Sequence, residues 1–325
     1  MRRLIALLPL ALFTAAGPSA KPLLRLAWPV DCRLGQTCAI QNYVDDDPGV
    51  AVVDYECGHR TYSGHDGIDI RLISMALERR GVNVLAAAPG RVLRVRDGVE
   101  DRSMRDAPAG AVAGQECGNG VVIGHADGWE TQYCHMRQGS LAVRPGDEVK
   151  AGAVLGKVGL SGNTELPHLH ITVRKDGKAV DPFAYAAAAG SCGAGQSLWA
   201  ASPVYRQGEV LVAGFSTGPV TMRDVQEDGA DQPSRPNRNA PLVTFVQAIG
   251  LEAGDLQRLV LTGPGGADIA RSAPPPLDHD KAQQLLFVGR GHVPVGGWPA
   301  GEYRANYSVV RKGRTVLTHI AKIIL

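Results

Sequence analysis

Glycine and proline punctuate this chain so densely that long helices have little room to form. Of 325 residues, 40 are glycine and 21 are proline, and each is a place where a helix ends or a turn begins. Short strands joined by tight turns suit such a spacing, so the chain is read as mainly β. The pattern is densest from about residue 56 to 185. "GVNVLAAAPGRVLRVRDG" carries two short apolar runs either side of Pro89-Gly90. "GNGVVIGHADGWETQYCHM" reads as two strands joined at Asp127-Gly128, a strong hairpin signal. "VRPGDEVKAGAVLGKVG" repeats the order of turn, short strand and turn. A further strand covers His168 to Arg174, and "DGKAVDPFAYAAAAG" is expected to close the segment with a short helix. A polar loop rich in alanine and glycine fills residues 96–117.

The remainder divides around this segment. Residues 1–20, "MRRLIALLPLALFTAAGPSA", have two arginines, a short apolar run and small residues after it, the pattern of a secretory signal peptide. The run from Leu4 to Phe13 is well short of the ~20 residues that span a bilayer, and no later stretch is a transmembrane candidate. Residues 21–55 read as an irregular N-terminal region, 56–190 as the central domain and 191–203 as a linker. Residues 204–325 hold alternating runs such as "VLVAGFS" and "LVTFVQAIG", the pattern of a small immunoglobulin-like β-sandwich. A net charge of +2 offers no support for a nucleic-acid partner.

Six cysteines, Cys32, Cys38, Cys57, Cys117, Cys134 and Cys192, are an even number in a chain expected to be exported, to a periplasm or outside the cell. They read as disulfides, with Cys32–Cys38 the favoured pair. No C-x-x-C pair is present to suggest a structural zinc site.

Chemistry concentrates in five residues: His65 and Asp69 in "SGHDGIDI", His135 in "TQYCHM", and His168 and His170 in "PHLH". Strand side chains alternate faces. His65, Gly67 and Asp69 would share a face if that stretch is extended, and His168 and His170 share one too. Cys134 would then face away from His135, free for a structural thiol or a disulfide. Zinc takes imidazole nitrogen and carboxylate oxygen, and two histidines with one carboxylate leave a fourth position for water. Two histidines then remain to move protons or to steady an oxyanion. Either motif alone is commonly a pair of half-exposed polar residues; their joint occurrence in order favours a metal site. His59, His125, His279, His292 and His319 have no partner at matching spacing and read as structural or surface histidines.

From about Cys57 to Tyr185 the chain resembles the lysostaphin-type, or LytM-like, zinc endopeptidases, which cut peptide bonds in bacterial cell walls. "GHDGIDI", "VLAAAPGRVLRV", "GNGVVIGHADGWETQYCHM", "VRPGDEVKAGAVLGKVGLSGNTELPHLHITV" and "VDPF" carry the resemblance, in order. It implies an antiparallel β-sheet with a groove across it. It also implies one Zn2+ held by His65, Asp69 and His170, with His135 and His168 as catalytic histidines. The implied reaction is hydrolysis of peptidoglycan cross-links, with a D,D-endopeptidase expected rather than glycyl-glycine cleavage. Leu166, Ile171 and Thr172 depart from the family's usual residues around the last motif. The rival expectation is a silent LytM-like module that binds and regulates other wall hydrolases. Such modules typically lack several of the five residues, and all five are present here. The C-terminal sandwich lies outside the resemblance and is a candidate surface for a wall or envelope protein. Asp45, Asp46 and Asp47 could place a carboxylate on the metal as a latent inhibitor, but a solvated acidic turn is the expected role.

Overall fold

In the computed structural model, residues 23–47, 49–108, 110–188, 190–230 and 235–325 are described. The expected signal peptide, residues 1–20, lies outside the described residues. The first part of the chain forms β1 (Cys38–Asn42), β2 (Ile68–Leu72), β3 (Asn83–Leu85), β4 (Gly90–Arg96), β5 (Asn119–Gly124), β6 (Trp129–Met136), β7 (Glu148–Val149), β8 (Val154–Lys157), β9 (His168–Lys175) and β10 (Lys178–Val180). A short helix, α1 (Met75–Arg80), follows β2; the Ser74 side chain caps its start and Gly81, at φ 83°, ends it. The main sheet runs β1-β2-β9-β6-β5-β4-β7, with β10 paired to β9, while β3 and β8 form a separate pair.

Period-two alternation positions everything that follows. Ile68, Ile70 and Leu72 of β2 are buried in the core, and so are Leu169, Ile171 and Val173 of β9. Asp69 and Arg71 therefore take the opposite face of β2, as His168, His170 and Thr172 do on β9. The strands are antiparallel neighbours, Asp69 opposite His170 and Arg71 opposite His168. Five polar side chains thus stand together on one face of adjoining strands. Each of the apolar side chains beneath contributes on the order of 2 kcal/mol by burial. A one-residue slip would send Asp69 into that core, so the register is strongly set.

The structure departs from the sequence reading in several places. Residues 21–55 are more than an irregular region: β1 pairs with β2, and Leu26, Val30, Tyr43 and Tyr55 are buried in the same core. Among the described residues no helix closes the segment after Asp181. Phe183 and Ala184 are buried instead, with Phe183 stacked on Tyr55 at 5.1 Å and against Trp199 at 5.6 Å. Leu198 N–H donates to Pro182 O and Gln196 N–H to Tyr185 O, pairing the backbone across the turn, while Ala187 N–H to Ala184 O and Ser191 N–H to Ala188 O close single turns. Aromatic packing has overridden alanine's helix propensity. Disulfides join Cys32–Cys38, Cys57–Cys192 and Cys117–Cys134.

The rest of the chain carries α2 (Met222–Asp228) and strands β11 (Glu209–Ser216), β12 (Leu242–Leu251), β13 (Leu256–Thr262), β14 (Asp268–Ser272), β15 (Lys281–Arg290), β16 (Glu302–Arg311) and β17 (Arg314–Ile324). Sheets β11-β12-β15 and β14-β13-β16-β17 enclose a core that includes Leu242, Val246, Leu259, Trp298 and Tyr303, a β-sandwich as the alternation implied. This sandwich leans on the polar face of β1 and β2. Gln41 Nε2 donates to Ala282 O at 3.0 Å, and His59 pairs with Asp280 at 2.6 Å. From α2, Glu227 pairs with Arg79 at 2.7 Å.

Candidate functional site

The polar face of β2 and β9 brings the two halves of the constellation together. Asp69 Oδ1 lies 2.9 Å from His170 Nδ1, 3.2 Å from His65 Nε2 and 3.4 Å from His168 Nε2. His65 Nε2 and His170 Nδ1 are 3.2 Å apart. His65 reaches this point differently from the extended reading, because β2 begins only at Ile68. His65 sits in the preceding turn, where its N–H donates to Tyr62 O at 3.0 Å and its carbonyl accepts from Asp45 N–H at 2.8 Å. Asp45 also accepts from Gly64 N–H at 2.9 Å. This member of the acidic turn therefore holds the histidine's loop in place.

His135 arrives by a local break in alternation. Asn119 pairs with Met136 and Val121 with Tyr133, so one residue of β5, Gly120, faces two of β6. This is a β-bulge. His135 has φ 60° within it. A Cβ on Gly120 would come 2.3 Å from Tyr133 O, so the bulge needs glycine there. The expectation that Cys134 faces away from the site is corrected: Cys134 lies opposite His170 in the register. The bulge turns His135 back to that same side, its ring 4.5 Å from His168 and 6.0 Å from His170.

The outer ring nitrogens are fixed by acceptors. His65 Nδ1 lies 2.6 Å from Tyr43 O, His135 Nδ1 2.8 Å from Ser161 O, and His168 Nδ1 2.9 Å from Leu166 O. Each must carry its proton there, which leaves Nε2 as a lone pair turned inward. His170 is reversed: Nε2 contacts Thr172 Oγ1 at 3.0 Å and Asp66 at 3.3 Å, leaving Nδ1 inward. His65 Nε2, Asp69 Oδ1 and His170 Nδ1 are therefore 2.9–3.2 Å apart and turned toward one point, with His170 Nδ1 able to bind a metal once its proton is displaced. Tetrahedral zinc, with ligand bonds of about 2.0–2.1 Å, separates its ligand atoms by about 3.3 Å. These three donors fit that ion in chemistry and in spacing.

The electrostatics favour a cation at this point. Burial alone would raise the Asp69 carboxyl, but the imidazoles of His168, His170 and His65 hold it well below the usual carboxylate range. Burial works against charge on His170 as well, yet Asp66 and Asp69 push it up to about 9. His135 goes the other way. Burial, with His168 and His170 beside it, pushes it down to about 3 and keeps it neutral.

Gly67 makes the close approach possible. A Cβ there would lie 2.6 Å from His170 Nε2 and 2.7 Å from Ile171 O, a backbone atom that cannot swing aside. Gly67→Ala is expected to weaken zinc binding roughly ten- to a hundredfold, as changes to a ligand's support do. A competition titration against a zinc-binding dye checks this, and unchanged affinity would show that His170 does not need the space.

Asp69, His135 and His168 border a cavity of about 350 Å³ whose walls include Asn42, Tyr62, Arg71 and Glu165, and also Ala282 and Gln283 of β15. Several of these escaped the sequence reading. Asn42 Nδ2 donates to Asp69 Oδ2 at 2.8 Å, occupying the carboxylate's second oxygen. Arg71 is buried, and burial, with Arg105 nearby, pulls its guanidinium down to about 9. The alternation of "IDIRL" already puts Arg71 on the face of Asp69; nothing in the spacing points to Asn42. His125 holds Pro89 O and Thr131 Oγ1 at 2.7 and 2.9 Å, a structural role as expected.

The profile of peptidase family M23 matches residues 63–182. The chain is 32% identical over 127 residues to the cell division protein DipM of Caulobacter vibrioides, across 36% of this chain and 17% of that protein. It is 42% identical over 69 residues to the DD-carboxypeptidase/endopeptidase Mpg of Neisseria meningitidis serogroup B, across 21% and 15% of the two chains. It is 31% identical over 122 residues to the murein hydrolase activator NlpD of Escherichia coli, across 38% and 26%. The matches thus span 15–26% of these relatives' lengths. The catalytic domain of the prophage-encoded M23 protein EnpA from Enterococcus faecalis aligns at a TM-score of 0.31 and 24% identity, across 52% of this chain and 95% of that one.

Proposed function

With residues 63–182 forming a peptidase family M23 domain, we propose that this chain is a zinc-dependent endopeptidase that hydrolyses peptide cross-links of bacterial peptidoglycan. One observation carries the proposal. Three donor atoms, His65 Nε2, Asp69 Oδ1 and His170 Nδ1, converge beside His135 and His168, and these two histidines border a cavity together with Asp69. His65, Asp69 and His170 hold the ion; when bound, zinc supplies a Lewis acid for the scissile carbonyl and acidifies the attacking water.

His168 takes the proton. Its Nε2 lone pair points inward, and Asp69 Oδ1 at 3.4 Å stabilises the imidazolium that results. His135 is buried and neutral, with Nδ1–H committed to Ser161 O, so its Nε2 accepts a hydrogen bond from the water and orients it. It can steady an oxyanion only after a proton reaches it.

A D,D-endopeptidase specificity is supported by the activity named for the Neisseria relative. Export to a periplasm, or secretion, is supported by the leader pattern of residues 1–20 and by three disulfides. Among the described residues no helix is long and apolar enough to cross a membrane. The C-terminal sandwich is proposed to engage a wall or envelope protein.

A second reading, a latent domain that regulates other wall hydrolases, is favoured by the activator NlpD among the relatives. Zinc content and release of soluble fragments from purified peptidoglycan separate the two. The enzyme reading expects one zinc per chain and cleavage that a chelator stops. Stoichiometric zinc without cleavage, together with stimulation of an added wall amidase, selects the second. Absence of zinc removes the metal-centre proposal altogether.

A further inference from the structure

We infer that Arg71 forms a carboxylate-binding subsite in the groove, reading an anionic group of the peptide substrate beside the bond to be cut. The inference rests on the peptidase reading. Arg71 is 3% exposed yet borders the same cavity as Asp69 and His168. It follows Asp69 by two residues on β2 and lies opposite His168 on β9. The next position on a strand face is about 7 Å along. A carboxylate within one or two residues of the scissile bond can therefore reach it.

The guanidinium is underserved where it sits. Nη1 donates to Gln41 Oε1 at 3.1 Å and to Gln283 Oε1 at 3.0 Å, both neutral amides. Nε has no partner among the described residues. The Gln283 oxygen is shared further, accepting from Gln226 Nε2 at 2.9 Å and Gln247 Nε2 at 3.2 Å. Glu165 borders the cavity but is engaged by Arg105 at 2.8 Å, and Asp69 is engaged by the imidazoles. A buried cation without a carboxylate is costly, and its planar fork matches a carboxylate better than any other group. Gln283 belongs to β15, so the C-terminal sandwich supplies one wall of this subsite.

Two carboxylates of a peptide stem could serve, a free chain terminus or a side chain. The test uses the full chain and three forms of one soluble cross-linked stem peptide. One is unmodified, one has only its terminal carboxylate amidated, and one has only its side-chain carboxylates amidated. Wild type is expected to lose roughly ten- to a hundredfold in kcat/KM, mainly through KM, on one amidated form. The form affected identifies the source. Arg71→Met is expected to lose the same factor on the unmodified peptide and to become indifferent to amidation, while Arg71→Lys restores part of the preference. Equal cleavage of all three forms by wild type overturns the subsite and leaves the peptidase reading intact, even if Arg71→Met fails to fold. An Arg71→Met variant that loses activity yet keeps the preference also overturns it, because the role is then structural. If wild type cleaves no form and no peptidoglycan, the peptidase reading falls and the subsite with it.

Discussion

His168→Ala is expected to lower kcat on peptidoglycan peptides by two to four powers of ten while leaving zinc content unchanged. The split follows from geometry. Zinc is proposed to be held by His65, Asp69 and His170, whose donor atoms are 2.9–3.2 Å apart. His168 Nε2 stands beside that triad, 3.4 Å from Asp69 Oδ1, with Nδ1 tied to Leu166 O. Removing the ring deletes an oriented proton acceptor and leaves the donor set complete. His135 is a poor substitute, since burial and its histidine neighbours push it down to about 3. Because His168 pairs in register with Arg71 on a strand whose alternate residues are core, the alanine variant should fold. Metal analysis and single-turnover kinetics on the same preparation decide the matter. Loss of zinc along with activity would make His168 a ligand; retained activity would move the base elsewhere.

Much of this site was legible in the sequence because strand alternation is a strict code. "PHLHITV" and "GIDIRL" each set polar residues against apolar ones at period two, and the apolar set is what the core buries. That fixes His168, His170, Asp69 and Arg71 on one face before any coordinates are known. The code fails wherever the backbone departs from a strand. His65 precedes β2 and is placed by Tyr43 O and Asp45, which lie in another part of the chain. His135 is placed by a bulge whose signal, Gly120, is one glycine among 40. The helix expected after Asp181 was read from local propensity, and packing of Phe183 among Tyr43, Tyr55 and Trp199 overrode it. The sandwich was readable as alternating runs. Its approach to the groove through Gln283 was not, since that contact joins residues 212 positions apart with no shared period.

Asp69→Asn is expected to cost at least about a hundredfold in zinc affinity, beyond the loss typical of a disturbed supporting residue, and with it the hydrolysis. The substitution keeps shape and removes charge. Asp69 Oδ1 is the atom on which three imidazoles converge, and its carboxyl is held far down the scale by them. The same charge, with Asp66, pushes His170 up to about 9. In the chelated wild-type protein His170 is therefore protonated at pH 7, and zinc must displace that proton. Affinity should rise about tenfold per pH unit until pH nears 9, then level off, with close to one proton released from His170 at pH 7. In Asp69→Asn the carboxylate nearest His170 is gone, so His170 drops toward its ordinary range. Less proton is then displaced at pH 7, and the slope flattens between pH 7 and 9. Affinity still falls, because the lost attraction between carboxylate and cation outweighs the easier deprotonation. Zinc competition titrations at pH 6, 7, 8 and 9, with proton release followed in weakly buffered solution, measure slope and magnitude together. An Asp69→Asn protein that keeps both its zinc and the wild-type slope would show that the cation is held by a different set of residues.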